Sequence, residues 1–330
     1  MEQDSEKALI YSNFLKTFTS QISELSFFTH HYKIAQDVLR VSATQLSDLT
    51  TFEIPIRHMA VEEGAASALL YLINRSDLPQ NFVLPKFPFR HFENEKIHFY
   101  FNSESGSFEI FDKENTTFYF LANNSSESLS HFSSSNLYFL KPILNNLGYV
   151  NMHGAVVGRN GQGIFLTNKG GSGKSTLMAY CAWHEMETLG DDFLTMKPVD
   201  TSLFHSLYRQ FKIAQSSPAL KLVSEKFPHL GAIDGKEVFV IEGESAAIFK
   251  PQMRINEILI PVLGEQLRTV EISKEEALKR ILASTLFLNW KIEIAIATVR
   301  EMLETLPFAL LELTPDLESA YQLLDQRLSK

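Results

Sequence analysis

Residues 168 to 176, NKGGSGKST, decide which kind of fold this 330-residue chain is predicted to have. The GKST end is typical of a loop that holds phosphate groups with main-chain amides, a lysine and a hydroxyl. An apolar segment, GIFLT, comes shortly before the loop, and a helical segment, STLMAYCAWHE, overlaps its end. Strand, glycine-rich loop and helix in this order predict a nucleotide-binding loop within an α/β fold.

Each position of the loop has a predicted role in holding a polyphosphate. Glycines let consecutive N–H groups turn toward the ligand without side chains in the way. Lys174 is expected to reach the β- and γ-phosphates of ATP, and Ser175 to bind Mg²⁺. The strict motif has glycine at position 168, and asparagine is acceptable there because it tolerates left-handed backbone. The predicted nucleotide-binding residues are Asn168, Lys169, Gly170, Gly171, Ser172, Gly173, Lys174, Ser175 and Thr176.

Charge and composition exclude several classes of function. The formal net charge is -9, which argues against nucleic acid as a partner but allows a local basic pocket. A single cysteine, Cys181, excludes a disulfide framework and a thiolate metal site. The acidic start MEQDSEKAL lacks the features of a signal peptide, and no apolar run reaches the roughly 18 residues of a membrane span. We therefore expect a cytoplasmic protein with no membrane partner.

The first part of the chain is predicted to be a smaller α+β module, residues 1–130. Ile10, Phe14, Phe18 and Ile22 recur at helical spacing, and YKIAQDVLRVSA predicts a strand or hairpin. From residue 97 onward IHFYFN, SFEIFD and TTFYFLAN alternate as three short strands. The serine- and asparagine-rich stretch 123–136 is the best boundary candidate. Edge strands in this module are candidates for recognising a partner by strand addition.

The second part, residues 131–330, is predicted to be the catalytic domain. HGAVVG, GIFLTN, DDFLTM, GKEVFVIE, NEILIPVL and FALLEL have the composition of strands. Ser273 and Glu276 have the spacing of a capping box, which predicts a helix over SKEEALKRILASTLF. A final helix is predicted to begin at Thr314–Pro315.

The segment from Met152 to Met196, MHGAVVGRNGQGIFLTNKGGSGKSTLMAYCAWHEMETLGDDFLTM, resembles the catalytic core of the HPr serine kinase family. It is more similar still to the HPr-kinase-related proteins of bacteria. The resemblance implies a P-loop kinase core of the HPr kinase or PEP carboxykinase-like type, a mixed sheet with flanking helices. HPr kinase's own later signature segment has no counterpart, so the resemblance does not extend to HPr as the substrate. The residues that fall on the family pattern are His153, Lys174, Ser175, Thr176, Asp191 and Asp192.

The resemblance also implies that His153 and the aspartate pair lie together over the loop. Phosphoryl transfer needs a carboxylate near both the acceptor hydroxyl and the metal. If Asp191 and Asp192 are neighbours on a strand, they point to opposite faces, so one can accept a proton while the other binds Mg²⁺. The choice of base stays open. The expected catalytic residues are Asp191, Asp192, His153 and Lys174, and the expected metal ligands are Ser175 and Asp192.

Other basic residues are weaker candidates for clamping phosphates or an acidic substrate. They are Arg209, Lys212, Lys236 and Arg254.

The function predicted from these features is an ATP-dependent, Mg²⁺-dependent kinase acting on a hydroxyl of a peptide, a protein or a small molecule. One alternative is a nucleotide-dependent dimerising switch, because the KGG start with Lys169 resembles the loop of partition-type ATPases. Those loops lie near the start of their domain, whereas this loop begins at residue 168. Another alternative is a reversible kinase and phosphorylase. A homo-oligomer is compatible with each of these functions.

Overall fold

A computed structural model describes residues 2–80, 82, 90–102, 106–122 and 135–329, and the side chains within these ranges except those of residues 2–8, 135 and 136. The chain divides into two compact units, Met1–Leu147 and Gly148–Lys330. The sequence analysis places the boundary at residue 130, within a stretch that lies mostly outside the described residues. The helix that follows this stretch belongs to the first unit, because its Phe139 packs against Phe52, Phe118 and Phe120.

The first unit is an eight-stranded mixed sheet with helices, as far as the described residues show. The strands lie in the order β3-β1-β2-β4-β8-β7-β6-β5, and the contacts of β4 with β2 and β8 are parallel. The three strands predicted from residue 97 onward form an antiparallel meander. The elements are α1 (Glu2–Ile22), β1 (Phe28–Ile34), β2 (Asp37–Ala43), α2 (Leu46–Glu53), β3 (Ala60–Val61), β4 (Ala68–Asn74), β5 (His91–Glu93), β6 (Ile97–Asn102), β7 (Ser107–Asp112), β8 (Thr117–Ala122) and α3 (Ser135–Asn146).

Helix α1 packs through aromatic side chains onto the β5 to β8 half of the sheet. Tyr11 stacks on Phe92, with ring centroids 4.5 Å apart, and Phe18 meets Phe108 edge to face at 5.5 Å. Of the apolar residues predicted at helical spacing, Phe18 is buried as expected, but Ile10 is 38% exposed. At 3.6 residues per turn, Tyr11 takes that place on the buried face.

The second unit carries a larger mixed sheet and a small antiparallel one. Its elements are β9 (Val150–His153), β10 (Ala155–Arg159), β11 (Gln162–Leu166), α4 (Lys174–Trp183), β12 (Glu187–Gly190), β13 (Phe193–Met196), β14 (Leu203–Ser206), β15 (Gln210–Ala214), α5 (Leu220–Lys226), β16 (His229–Ile233), β17 (Lys236–Val240), β18 (Gln252–Leu263), β19 (Arg268–Val270), α6 (Lys274–Thr285), α7 (Ile292–Thr305), β20 (Phe308–Leu313) and α8 (Leu317–Leu328).

The larger sheet is covered by helices on both faces. Its strand order is β12-β10-β11-β18-β14-β13-β9, with β20 pairing with β18 and β19 with β20. Strand β11 is parallel to β18, and β18 is parallel to β20. Along β11, Ile164 and Leu166 join the core formed with α4 and α8, whereas Phe165 joins the core formed with α6 and α7. This alternation is typical of a strand buried on both faces. The predicted mixed α/β class is confirmed. Among the described residues, no helix has the length and apolar character needed to span a bilayer.

The edge strand β9 is held by a buried asparagine from the turn after α6. The Oδ1 of Asn289 accepts from the Asn151 N–H at 2.9 Å, and its Nδ2 donates to the Asn151 carbonyl at 2.9 Å and to the Thr285 carbonyl at 3.0 Å. The Asn289 side chain thus pairs with β9 much as a neighbouring strand would. It fixes the strand whose last residue is His153.

Replacing Asn289 by alanine should lower the free energy of unfolding by about 2–4 kcal/mol, because buried main-chain groups of Asn151 lose their partners. Urea denaturation measures the change. Gln322→Ala is the matched control, since it removes an exposed amide with one surface hydrogen bond and should cost less than about 0.5 kcal/mol. Equal losses in the two variants would contradict the role given to Asn289.

Candidate functional site

The glycine-rich loop lies between the carboxyl end of β11 and the first turn of α4. Gly171 and Gly173 have φ angles of 78° and 92°, in the left-handed region where residues with a Cβ are strained. A Cβ added at Gly170 or Gly171 would meet no atom within 4 Å, so the loop faces open space there. Main-chain amides at this helix start can bind an anion, provided that other groups complete the site.

Asn168 is fixed by its side chain rather than by an unusual backbone angle. Its Nδ2 donates to the Pro261 carbonyl at 2.8 Å, and its Oδ1 accepts from the Lys169 N–H at 2.8 Å. The backbone of Asn168 is not left-handed, because its φ angle is not positive. The amide instead fastens the loop to β18, a role that glycine could not perform.

Lys174 lies beneath the loop and is 5% exposed. Its Nζ donates to the carbonyls of Asn168 at 2.7 Å and Lys169 at 3.1 Å. Burial lowers the pKa of Lys174, and the carboxylates of Asp191 and Asp192 act in the opposite direction. The ammonium group therefore lies close enough to both carboxylates to feel their charge.

The aspartate pair forms a turn between β12 and β13. The sequence analysis places both aspartates on a strand, but the strand begins only at Phe193. Asp192 has φ 72°, and its carbonyl accepts from the Gly154 N–H at 3.2 Å. The two side chains differ in exposure, since Asp191 is 2% exposed and the Asp192 side chain is 18% exposed. The left-handed turn, and not strand alternation, therefore separates the two carboxylates.

Two basic side chains lie beside the Asp192 carboxylate. The Lys212 Nζ is 3.4 Å from Oδ2, and the His153 Nε2 is 3.9 Å from Oδ1. Burial lowers the pKa of His153 to about 4, and the charges of Lys174 and Lys236 add to this effect. At neutral pH His153 is therefore an uncharged imidazole beside the carboxylate, and Lys212 supplies the positive charge.

Asp191 is a buried carboxyl group with no hydrogen-bond partner on either oxygen. Burial and the charge of Asp192 raise its pKa to about 7, while Ser175 and Lys174 act to lower it. Ser175 therefore lies close enough to Asp191 to favour its charged form. Oxygen atoms of this kind are the ligands that Mg²⁺ prefers, so Ser175 with either aspartate can hold that ion.

One open pocket collects most of the predicted residues. Its wall consists of His153, Gly170, Gly171, Ser172, Gly173, Lys174, Ser175, Thr176, Asp192, Lys212, Ala214 and Lys236. Asp191 lies behind this wall, Asn168 is buried, and Lys169 is exposed outside it. The wall has three lysines against one aspartate, so a protein with net charge -9 presents a local positive pocket.

Two of the four weaker candidates lie elsewhere. The Arg209 guanidinium is 5.4 Å from the centre of the Phe249 ring, and Arg254 pairs with Asp200 at 3.1 Å. Lys212 and Ala214 are alternate residues of β15 and therefore share a face, and Ala214 is opposite Lys236 on β17. Lys212 and Lys236 thus lie on one face of this strand pair. The pairing of these two strands therefore brings Lys212 and Lys236 together at the pocket.

Tyr208 is a residue near the site that the sequence analysis does not identify. It is buried, its hydroxyl makes no hydrogen bond, and burial raises its pKa, as does the charge of Asp192. Its ring meets Phe193 edge to face at 5.6 Å. Strand alternation in the sequence does not identify Tyr208, because this residue precedes β15, which begins at Gln210.

The chain matches no protein family model and is similar in sequence to no curated protein at a significant level. Among solved structures, the Hpr(Ser) kinase/phosphatase from Coxiella burnetii is similar, with a TM-score of 0.30 and 12% identity. The match covers 54% of this chain and 97% of that one. A similarity of this size does not bear on the chemistry of the pocket.

The raised pKa of Asp191 predicts a pH-dependent stability. Between its ordinary value of 3.8 and about 7, the folded protein keeps a proton that the unfolded chain releases, so this group's contribution falls as pH rises. Asp191→Asn imitates the protonated form. It should raise the free energy of unfolding by roughly 1–3 kcal/mol at pH 8 and by almost nothing near pH 4.

Chemical denaturation of both proteins across this pH range measures the difference. Asp234→Asn is the control, because Asp234 is an exposed aspartate outside the pocket wall. A stabilisation that is equal at both pH values, or larger at pH 4, would contradict the raised pKa of the buried Asp191 carboxyl group.

Proposed function

We propose that this protein is a phosphotransferase with a P-loop kinase site, which transfers the γ-phosphate of ATP to a hydroxyl group. The proposal rests on the position of Asp192 in the pocket wall. Its carboxylate shares a pocket wall with the open glycine-rich loop, and Lys212 at 3.4 Å and His153 at 3.9 Å flank it. A loop for phosphate and a carboxylate for the acceptor are the two parts that phosphoryl transfer needs.

The loop is suited to the phosphate chain of ATP. Gly170 and Gly171 leave space where side chains would otherwise stand, and the start of α4 adds the positive end of its dipole. Lys174 and Lys212 line the same pocket, with Lys236 exposed at its edge. These cations would stabilise a polyphosphate and hold its terminal group near Asp192.

The buried carboxyl group of Asp191 is suited to holding Mg²⁺ together with Ser175. Both oxygens of Asp191 are buried without a hydrogen bond, which is costly unless a partner such as a cation binds there. The sequence pattern predicts Ser175 and Asp192 as the metal ligands, whereas we propose Ser175 and Asp191. Bound Mg²⁺ would neutralise charge on the transferred phosphoryl group.

Asp192 is then free to act as the base toward the acceptor hydroxyl. Lys212 holds one oxygen of this carboxylate, which leaves the other near His153. Because His153 is uncharged at neutral pH, its Nε2 can accept a proton or donate one to the carboxylate, according to its tautomer. Asp192 thus receives the hydroxyl proton, and Lys212 and His153 position Asp192.

The acceptor is a hydroxyl of a peptide, a protein or a small molecule. A positive pocket on a negatively charged protein favours an acceptor that carries negative charge beside its hydroxyl. The reverse reaction, with phosphate as the attacking group, needs the same residues.

Nucleotide binding is tested with Lys174→Ala and Lys169→Ala. Both lysines belong to the glycine-rich loop, but only Lys174 lines the pocket. Lys174 lines the pocket, so its loss should weaken Mg²⁺–ATP binding at least tenfold, as measured by calorimetry. Lys169 is exposed outside the pocket wall, so its loss should change the affinity less than about threefold.

The same pair of variants distinguishes the kinase from the dimerising switch. If ATP causes dimerisation and Lys169→Ala abolishes both dimerisation and hydrolysis, the switch is correct and the kinase is not. Melting curves without nucleotide show whether either variant has lost its fold.

Phosphoryl transfer is tested by incubating the protein with labelled ATP and cell extract, followed by mass spectrometry of the phosphorylated products. Asp192→Asn should lower transfer at least about 100-fold, because the base is lost, while ATP still binds. Asp200→Asn is the matched control, since Asp200 pairs with Arg254 outside the pocket. Transfer by Asp192→Asn at the wild-type rate, or release of free phosphate alone, would contradict the proposal.

A further inference from the structure

A second group of ligand-type side chains lies in the first unit, on the hairpin of β5 and β6. His91 and Glu93 are two residues apart on β5, and Glu93 stands directly opposite His98 on β6. Alternate residues of a strand share a face, and so do residues that are opposite in the register. The three side chains therefore point to one face, and their ligand atoms all lie within 4.8 Å of one another.

The distances are close to those around a bound metal ion. Oε2 of Glu93 is 3.6 Å from the His98 Nδ1 and 4.0 Å from the His91 Nε2. In a tetrahedral zinc site with bonds of about 2.0–2.2 Å, ligand atoms are about 3.3–3.6 Å apart. Small rotations of exposed side chains close this difference, because His91 and Glu93 are 56% and 44% exposed.

The protonation states also suit a metal ion. Burial lowers the pKa of His98, which keeps its imidazole uncharged and able to coordinate. Although burial raises the pKa of Glu93, the hydrogen bond from Lys113 and the charge of that lysine lower it overall, so this side chain is a carboxylate.

Lys113 fixes the orientation of the Glu93 carboxylate. Its Nζ donates to Oε1 of Glu93 at 2.8 Å and to the Asn94 carbonyl at 2.7 Å. The contact uses the oxygen that faces away from the histidines and leaves Oε2 between them. Hydrogen bonding of the other oxygen is common for carboxylates that bind metals.

We propose that His91, Glu93 and His98 bind one Zn²⁺ ion, with water in the fourth position. Two imidazoles and one carboxylate are a ligand set that zinc uses, whereas Mg²⁺ prefers oxygen alone. The ion joins β5 to β6, and β5 is a three-residue strand at the end of the sheet order. Short edge strands are weakly held, so a bound ion stabilises this edge. The site is independent of the proposed kinase activity.

The test is a calorimetric titration of the metal-free full chain with Zn²⁺, with excess Mg²⁺ present to occupy the second unit's pocket. The wild type should bind one equivalent at this site, and His91→Ala and His98→Ala should each bind it at least tenfold more weakly. His229→Ala is the matched control. His229 also contacts a glutamate, Glu237, at 2.7 Å on a hairpin, but belongs to no three-ligand cluster among the described residues.

Thermal melting gives a second readout. Zinc should raise the melting temperature of the wild type and of His229→Ala but not of His91→Ala. Because the His91 side chain is mostly exposed, its replacement should leave the fold intact, so a missing zinc effect reports loss of the metal ligand. Absence of zinc binding by the wild type would overturn the proposal. Equal zinc binding by the wild type and both histidine variants would also overturn it. The same holds if zinc binding is lost only in Asp191→Asn.

Discussion

The turn that joins β12 to β13 is the constraint on which the candidate site depends. Gly190 has φ 90°, and a Cβ there would lie 2.2 Å from the Tyr208 carbonyl, so no other residue is accommodated. Asp192 follows in a left-handed conformation that costs about 1–3 kcal/mol and persists only when its surroundings enforce it. The hydrogen bond from the Gly154 N–H and the contact with Lys212 provide that enforcement. A strained backbone thereby brings one carboxylate to the pocket and leaves its neighbour buried.

The balance of charge explains why these groups can coexist in a small space. Burial acts against charge on His153, Lys174 and Asp191 alike. His153 stays uncharged, whereas Lys174 and Asp191 lie close enough for their opposite charges to offset part of the free energy lost on burying each of them. The result is a pocket with a positive wall and a single partly exposed carboxylate. Such a pocket favours an anionic ligand with an acid–base partner, which is the arrangement that the proposed phosphoryl transfer requires.

The sequence predicted what depends on local pattern and missed what depends on register. Strand β11, the glycine-rich loop and α4 are predicted from residues that are consecutive in the sequence. The same is true of the Ser273 cap, whose side chain accepts from the Glu276 N–H. The sequence pattern predicts a strand through the aspartate turn, because nothing local reveals the positive φ angle at Asp192. The place of Lys236 beside Lys212 in the pocket depends on how β15 pairs with β17. The cluster around Glu93 likewise exists only because β5 and β6 pair as they do.

The most direct measurement is a crystal structure of the protein with Mg²⁺ and a non-hydrolysable ATP analogue. The account predicts the phosphate chain on the amides of residues 170–175, the ion on Ser175 and Asp191, and the terminal phosphate facing Asp192. A nucleotide bound elsewhere, or a terminal phosphate directed away from Asp192 with Lys212 still beside that carboxylate, would contradict it.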